Sequence, residues 1–238
     1  MESLSAVEHS HVDLLHEIGS RLAAASPLHD VLDSVVEFAS VLVECDSCLI
    51  YVLEGDDLVL RASKQPHPDV VDRLKLRVGQ GITGWVAEHL EPVALSHDAS
   101  KDPRFRMLNE LPEDSYEAFL SVPLLSRGRM VGVINLQHRR AHLYTQRQIR
   151  LISTIGFLVG AEIELARLEE ANLNLSEKLQ TRKIVERAKG ILQVELGLTE
   201  EQAYLALQRQ SRQKRMSMKD VARAIILSDE VKGSSRTA

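Results

Sequence analysis

From Thr145 to Lys183 the sequence contains no proline and no cluster of turn residues. That stretch predicts one long helix beginning at Thr145, where Gln148 three residues on gives capping-box spacing. It continues without a breaker through "AEIELARLEEANLNLSEKLQTRK". Whatever precedes and follows must fold as attachments to this helix. Within it Leu165, Leu168, Asn172, Leu175 and Leu179 recur at alternating spacings of three and four. This is an a/d seam with Asn172 at an a position. One asparagine in such a seam fixes register and favours a parallel pair at some expense of stability, so the seam predicts a homodimer. The alternative is that these leucines pack back against the body of the same chain.

Charge divides the chain at the end of the seam. From Gln180 onward there are 12 Lys/Arg and 7 Asp/Glu, a balance of +5, whereas the preceding residues carry −10 within a total of −5. A basic tail on an acidic body suggests a polyanion-binding module carried by a part that does not bind nucleic acid. The plain alternative is a solvated helical tail. The start, "MESLSAVEHSHVDLLHEIG", lacks a basic n-region and an apolar h-region, and no later run approaches the roughly 18 apolar residues of a membrane span. The expected setting is the cytoplasm, with no membrane partner. Two cysteines, Cys45 and Cys48, are too few for a disulfide framework or a zinc site without outside ligands. Nine histidines show no metal spacing, and no carboxylate pair or Ser/His/Asp set can be placed. No catalytic residue, metal or cofactor is expected. The "CDSC" spacing leaves a thiol redox site as the enzymatic alternative.

The body reads as an α+β domain. Helices are expected over about His11 to Ala25 and Pro27 to Glu44, then a hairpin in "SCLIYVLEGDDLVLRASK" around Gly55-Asp56-Asp57. A short helix over Pro68 to Leu76 is expected next, then a glycine-punctuated loop, a short helix and a strand. A polar loop and a second hairpin around Arg127-Gly128-Arg129 lead to the long helix. This order predicts an antiparallel sheet with helices gathered on one side. The pieces "VGQGITGWVAE", "VALSHDASKDPRF" and "SVPLLSRGRMVGVINLQHR" resemble the GAF family of small-molecule sensor domains, from about Ser20 to Leu168. The resemblance implies a pocket between the sheet and its covering loops. By position Tyr51, Trp85, His97, Phe119, Ser121 and Asn135 line or lid it, together with Val93, Leu95 and Phe105. The alternative is that their apolar members are plain core. A small-molecule ligand or a partner signalling protein is the implied input. Gly79, Gly81 and Gly84 fit a bare G-x-G-x-x-G pattern, but no βαβ unit surrounds them.

The tail opens with "RKIVERAKGILQ". On a helical wheel with Arg182 at zero, Ile184, Val185, Ala188, Ile191 and Leu192 fall between about 180° and 300°. Gly190 falls near 80°, among the charges, although a mid-helix glycine is about 1 kcal/mol worse than alanine. On that face it leaves bare backbone beside cations, where a nucleic acid can approach. Gly197 then predicts a helix end, Thr199 and Gln202 a capping box, and Glu200 to Lys214 a second helix with Tyr204 at the core edge. Ser217 caps a third helix from Met218 to about Asp229. These three helices, "RKIVERAKGILQVELGLTEEQAYLALQRQSRQKRMSMKDVARAII", closely resemble the ANTAR family of RNA-binding output domains, from about Leu179 to Ser228. The family often has alanine where Ser211 stands and arginine where Gln208 stands. The resemblance implies an antiterminator that holds paired stem-loops in nascent mRNA and blocks a terminator hairpin. Arg182, Lys183, Arg187, Lys189, Arg209, Arg212 and Arg215 are the expected RNA contacts, with Gly190 giving access. The resulting organisation is an N-terminal helical segment (1–19), a GAF domain (20–162), a coiled-coil linker (163–180) and an ANTAR domain with a short disordered tail (181–238). Three short basic helices also suit a DNA-binding helix-turn-helix regulator, which is the rival reading.

Overall fold

The computed structural model describes residues 20, 27–65, 68–106 and 115–234, with side chains as far as Val231. Apart from Ser20, the expected helix over His11 to Ala25 lies outside the described residues, as does the whole of the segment 1–19. The chain forms two compact units, 1–167 and 168–238.

In the first unit, α1 (Leu28–Val43) leads into β1 (Ser47–Glu54), β2 (Asp57–Ser63) and β3 (Lys75–Arg77). Then follow α2 (Gly81–His89), β4 (Val93–Leu95), β5 (Ala118–Ser126), β6 (Arg129–His138) and the start of α3 (Gln146–Leu196). The sheet is antiparallel with strand order β3-β2-β1-β6-β5-β4. Arg127 and Gly128 both have positive φ, as a two-residue type I′ turn between β5 and β6 requires.

Both faces of the sheet are buried, which explains why "CLIYVL" in β1 is a continuous apolar run and not an alternation. Cys48, Ile50 and Val52 point toward α1 and toward Ile152, Ile155, Val159 and Ile163 of α3. Leu49 and Tyr51 point the other way, into a cluster with Leu58, Leu60, Phe119 and α2's Ile82 and Val86. The expectation of helices on one side only is therefore corrected: α2 covers the opposite face. The short helix expected over Pro68 to Leu76 is also corrected. Residues 68–73 form turns, with Asp72 at φ 67°, and Lys75-Leu76-Arg77 is an edge strand with only Leu76 buried. Three residues of alternation are too few to read as a strand.

Helix α3 is fastened to the sheet by a close backbone approach. A methyl on Gly156 would sit 2.9 Å from the Pro123 carbonyl oxygen, and one on Gly160 would sit 2.6 Å from the Leu125 carbonyl carbon and 2.8 Å from its nitrogen. Its start is capped as expected: the Thr145 amide donates to Gln148 Oε1 (2.9 Å) and the Gln148 amide donates to Thr145 Oγ1 (3.2 Å).

The second unit is built from the later turns of α3 with α4 (Glu200–Lys214) and α5 (Met218–Ser234). Val185, Ala188, Leu207, Val221 and Ala222 are its buried core, with Ile184, Leu192, Met218, Ile225 and Ile226 around them. The Thr199–Gln202 capping box is present in both directions. The Asp220 amide donates to Ser217 Oγ at 3.1 Å ahead of α5, which runs past the expected end near Asp229.

Replacing Gly160 with alanine should lower unfolding stability by about 1–3 kcal/mol, the usual effect of overpacking. The urea midpoint of the full chain measures it; an unchanged midpoint would mean that the helix does not need this approach.

Candidate functional site

The second unit carries most of the basic residues singled out above. Arg182 and Lys183 on α3, Arg209 and Arg212 on α4, and Arg215 just after it are all exposed. None of the five makes an ion pair with a described residue. Gly190 lies on the same helix as Arg182 and Lys183, and a Cβ added to it would meet nothing within 4 Å. No packing demand of the fold accounts for a glycine there. Arg187 is half-exposed and its guanidinium donates to Glu230 Oε1 at 2.8 Å, tying α3 to α5.

Lys189 departs from the expected role. Only 7% of its surface is exposed. Its ammonium donates to Glu186 Oε1 and Oε2 at 3.0 and 2.9 Å and to Glu200 Oε1 at 2.7 Å. Glu200 first, and Glu186 second, raise the lysine pKa, and the lysine in turn lowers that of Glu200. A cation already shared by two carboxylates has little to offer a phosphate. Lys189 therefore clamps α3 to the first turn of α4, where the acidic side chain of Glu200 also suits the helix dipole. The i,i+3 pairing with Glu186 is legible in the sequence; Glu200, brought in by the turn at Gly197, is not. Tyr204, expected at the core edge, is 45% exposed, so much of its ring is open.

In the first unit a cavity of about 40 Å³ lies between the sheet and α2. A water needs about 10–15 Å³ of such space, so there is room for about three or four. Tyr51, Phe119 and Asn135 line it, joined by Ile82, Thr83 and Phe105. Ser121 supports it from behind: its hydroxyl donates to Asn135 Oδ1 (2.7 Å), and Asn135 Nδ2 donates to Thr83 Oγ1 (2.8 Å). This buried chain joins β5, β6 and α2. Trp85 and His97 do not border the cavity. Trp85 is stacked on His89 at 4.1 Å with the Arg104 guanidinium 4.8 Å from its ring, and His97 is an exposed neighbour of Asp98.

Cys45 and Cys48 are free thiols, both buried, and burial raises the pKa of each, that of Cys48 strongly. A reactive cysteine needs the opposite environment. His138 and His142 stack at 3.8 Å against Tyr144, whose hydroxyl lies 3.0 Å from His138 Nδ1. Among the described residues no group of three or more His, Cys, Asp or Glu is arranged to hold a metal ion. No helix among them is long and apolar enough to cross a membrane.

Comparison with known proteins divides the chain in the same order. The family model of the GAF domain matches residues 25–164, and that of the ANTAR domain matches residues 173–226. The transcriptional regulatory protein PdtaR of Mycobacterium tuberculosis is 38% identical over 110 residues, 46% of this chain and 51% of that protein. A protein of the phosphoenolpyruvate-dependent phosphotransferase system of Escherichia coli is 27% identical over 159 residues, 65% of this chain and 21% of that one. The chain thus spans about a fifth to a half of the length of these relatives. Among solved structures, the GAF domain of a phosphoenolpyruvate-protein phosphotransferase from Coxiella burnetii superposes with a TM-score of 0.63 at 28% identity, covering 68% of this chain and 96% of that one.

Replacing Lys189 with methionine should lower the thermal midpoint while leaving the salt dependence of polyanion binding unchanged. The folded pKa of Glu200 lies below its unfolded value, so the pair's contribution is full at neutral pH and is lost as pH falls through the folded value. On the lysine side it is lost as pH rises through the raised lysine pKa. The difference in melting temperature between wild type and Lys189→Met should therefore shrink between pH 7 and about pH 3. A constant difference would reject the ion pair.

Proposed function

The chain belongs to the GAF domain family and carries an ANTAR domain behind it, and from that premise we propose that it is a signal-responsive transcription antiterminator. Its helical trio binds stem-loops in nascent mRNA, and holding them prevents a terminator hairpin from forming. The observation that carries this reading is the uncommitted cationic surface of the second unit: five exposed Arg and Lys side chains with bare backbone at Gly190. The cations contact phosphates and set position. Unpaired loop bases are read by stacking and edge hydrogen bonds, for which the open ring of Tyr204 is available. The M. tuberculosis relative, named a transcriptional regulatory protein, supports an output at the level of transcription.

Tandem stem-loops call for two heads. Leu165, Leu168, Leu175 and Leu179 are all exposed along α3, as is Asn172 between them. Leucines on a helix with no cover are the expected state of a seam awaiting a second copy, so the acting species is a parallel homodimer. In this reading 20–162 receives the signal, 163–180 dimerises and 181–238 binds RNA. The signal is a small molecule at the cavity or a partner signalling protein on the GAF domain. The buried, proton-retaining thiols support a sensor without thiol chemistry of its own.

Gel shifts test the assignment: tandem stem-loop RNA should bind in preference to duplex DNA, and sequencing of co-purified RNA should return paired hairpins. Tight DNA binding with no preference for hairpins would favour a DNA-binding regulator. Arg212→Ala should reduce the slope of log affinity against log salt by about 0.7–0.9, one phosphate contact. Gly190→Ala should stabilise the helix by about 0.5–1 kcal/mol yet weaken RNA binding, and Gly190→Leu should weaken it further. Unchanged affinity in both would end the role given to that backbone.

A further inference from the structure

The turn that joins α4 to α5 is stapled by a side chain. Helix α4 ends in a Schellman arrangement: the Met216 amide donates to the Ser211 carbonyl at 3.1 Å, and the Arg215 amide donates to the Arg212 carbonyl at 3.4 Å. Such an ending puts one residue in the left-handed region, a place that glycine takes at least cost. In this unit Gly197 does so after α3 (φ 64°), yet after α4 the place is held by Arg215 (φ 52°). Glu44 and Leu90 end α1 and α2 in the same conformation, so the backbone angle by itself assigns nothing. The side chain one turn back adds what they lack: Ser211 Oγ donates to the Met216 carbonyl at 2.6 Å. Both backbone polar groups of Met216 are thereby tied to one residue, and Arg215 lies inside the ring that they close.

A serine inside a helix ordinarily turns its hydroxyl backward. Ser34, Ser153 and Thr154 each donate to the carbonyl four residues earlier. Ser211 reaches forward instead, across the helix end. The fold has little to gain from this bond, because it lies at the exposed surface where water would serve the same carbonyl, and alanine is the better helix former at that position. What the staple does fix is the bearing of Arg215. That side chain is exposed and forms no ion pair with a described residue. On the other side of the turn the Asp220 amide donates to Ser217 Oγ at 3.1 Å, so the chain is anchored both before and after Arg215. A cation set on an anchored turn loses less freedom when it engages a phosphate than one on a loose turn.

We propose that Ser211 is a positioning residue for RNA binding: its hydroxyl bond to Met216 holds the turn that presents the Arg215 guanidinium to an RNA phosphate. The proposal rests on the RNA-binding reading above and deepens it, naming a residue that touches no RNA itself and acts through one that does.

A double-mutant cycle on the full-length protein tests this, with a synthetic RNA of two GC-rich hairpins as the probe and circular dichroism as the check on folding. Arg215→Gly takes the left-handed angle freely, so it should raise the thermal midpoint while weakening RNA binding. Its slope of log affinity against log salt should fall by about 0.7–0.9, one phosphate contact. Ser211→Ala should weaken binding about threefold or more in the native chain and less than about 1.5-fold in the Arg215→Gly chain, a coupling that a general loss of stability would not produce. Unchanged affinity for Ser211→Ala, or an equal loss in both backgrounds, would overturn the proposal and leave RNA binding by the native chain standing. Should Ser211→Ala not fold, Arg215→Gly decides alone: unchanged affinity and salt slope there would also overturn it. Failure of the native chain to bind the hairpin RNA at all would remove the RNA-binding reading and the proposal together.

Discussion

The close seating of α3 on β5 is the contact on which the rest of the first unit depends. Gly156 and Gly160 let the helix backbone come down onto Pro123 and Leu125, and Ile152, Ile155, Val159 and Ile163 then reach into the sheet. At roughly 1.5–3 kcal/mol for each fully buried aliphatic side chain, those four residues are a major part of what holds the helix there. Once that face is spent, the same helix continues with a different stripe of leucines, and later with Val185 and Ala188 in the core of the second unit. One uninterrupted helix thus supplies buried apolar residues to both cores, with exposed leucines between them.

The glycines of α3 show how one residue type serves opposite ends. At Gly156 and Gly160 a side chain is excluded by neighbouring backbone, so glycine is a condition of packing. At Gly190 nothing stands within reach of a Cβ, and the fold would gain from alanine. No contact within the described fold therefore asks for a glycine at position 190. The wheel position among charged residues and the empty space around an added Cβ agree in placing Gly190 away from the packed faces.

What the sequence made legible was local. Both capping boxes, the helix over Glu200–Lys214 and the hairpin around Arg127-Gly128 depend on residues close together in the chain, and all form as read. What it concealed depends on partners distant in the chain. Lys189 looked like a free cation until the turn at Gly197 brought Glu200 to it. The α2 helix sits on the second face of the sheet because β1 is apolar on both sides, a pattern readable in "CLIYVL" but easily taken for an ordinary strand. Trp85 and His97 looked like pocket residues by position, yet their rings are held outside by Arg104, His89 and Asp98. Tyr51, Phe119 and Asn135 border the cavity because strand register fixes which face each residue takes.

The cavity also sets terms for any signal that enters it. Ligand pockets usually enclose about 300–1,000 Å³, and the cavity between the sheet and α2 is about 40 Å³. A ligand larger than a few heavy atoms needs more room than this cavity offers, and moving a lining ring such as Tyr51 or Phe119 into water would cost about 1.5–3 kcal/mol. A ligand shifts an equilibrium only by its difference in affinity for two states. A molecule that binds solely when the rings have moved has that difference built in, because it has no affinity for the closed form. The Ser121–Asn135–Thr83 chain is where such a movement would be felt first, since it joins the two central strands of the cavity floor to the helix that roofs it. A partner protein acting from outside would have to change the same packing.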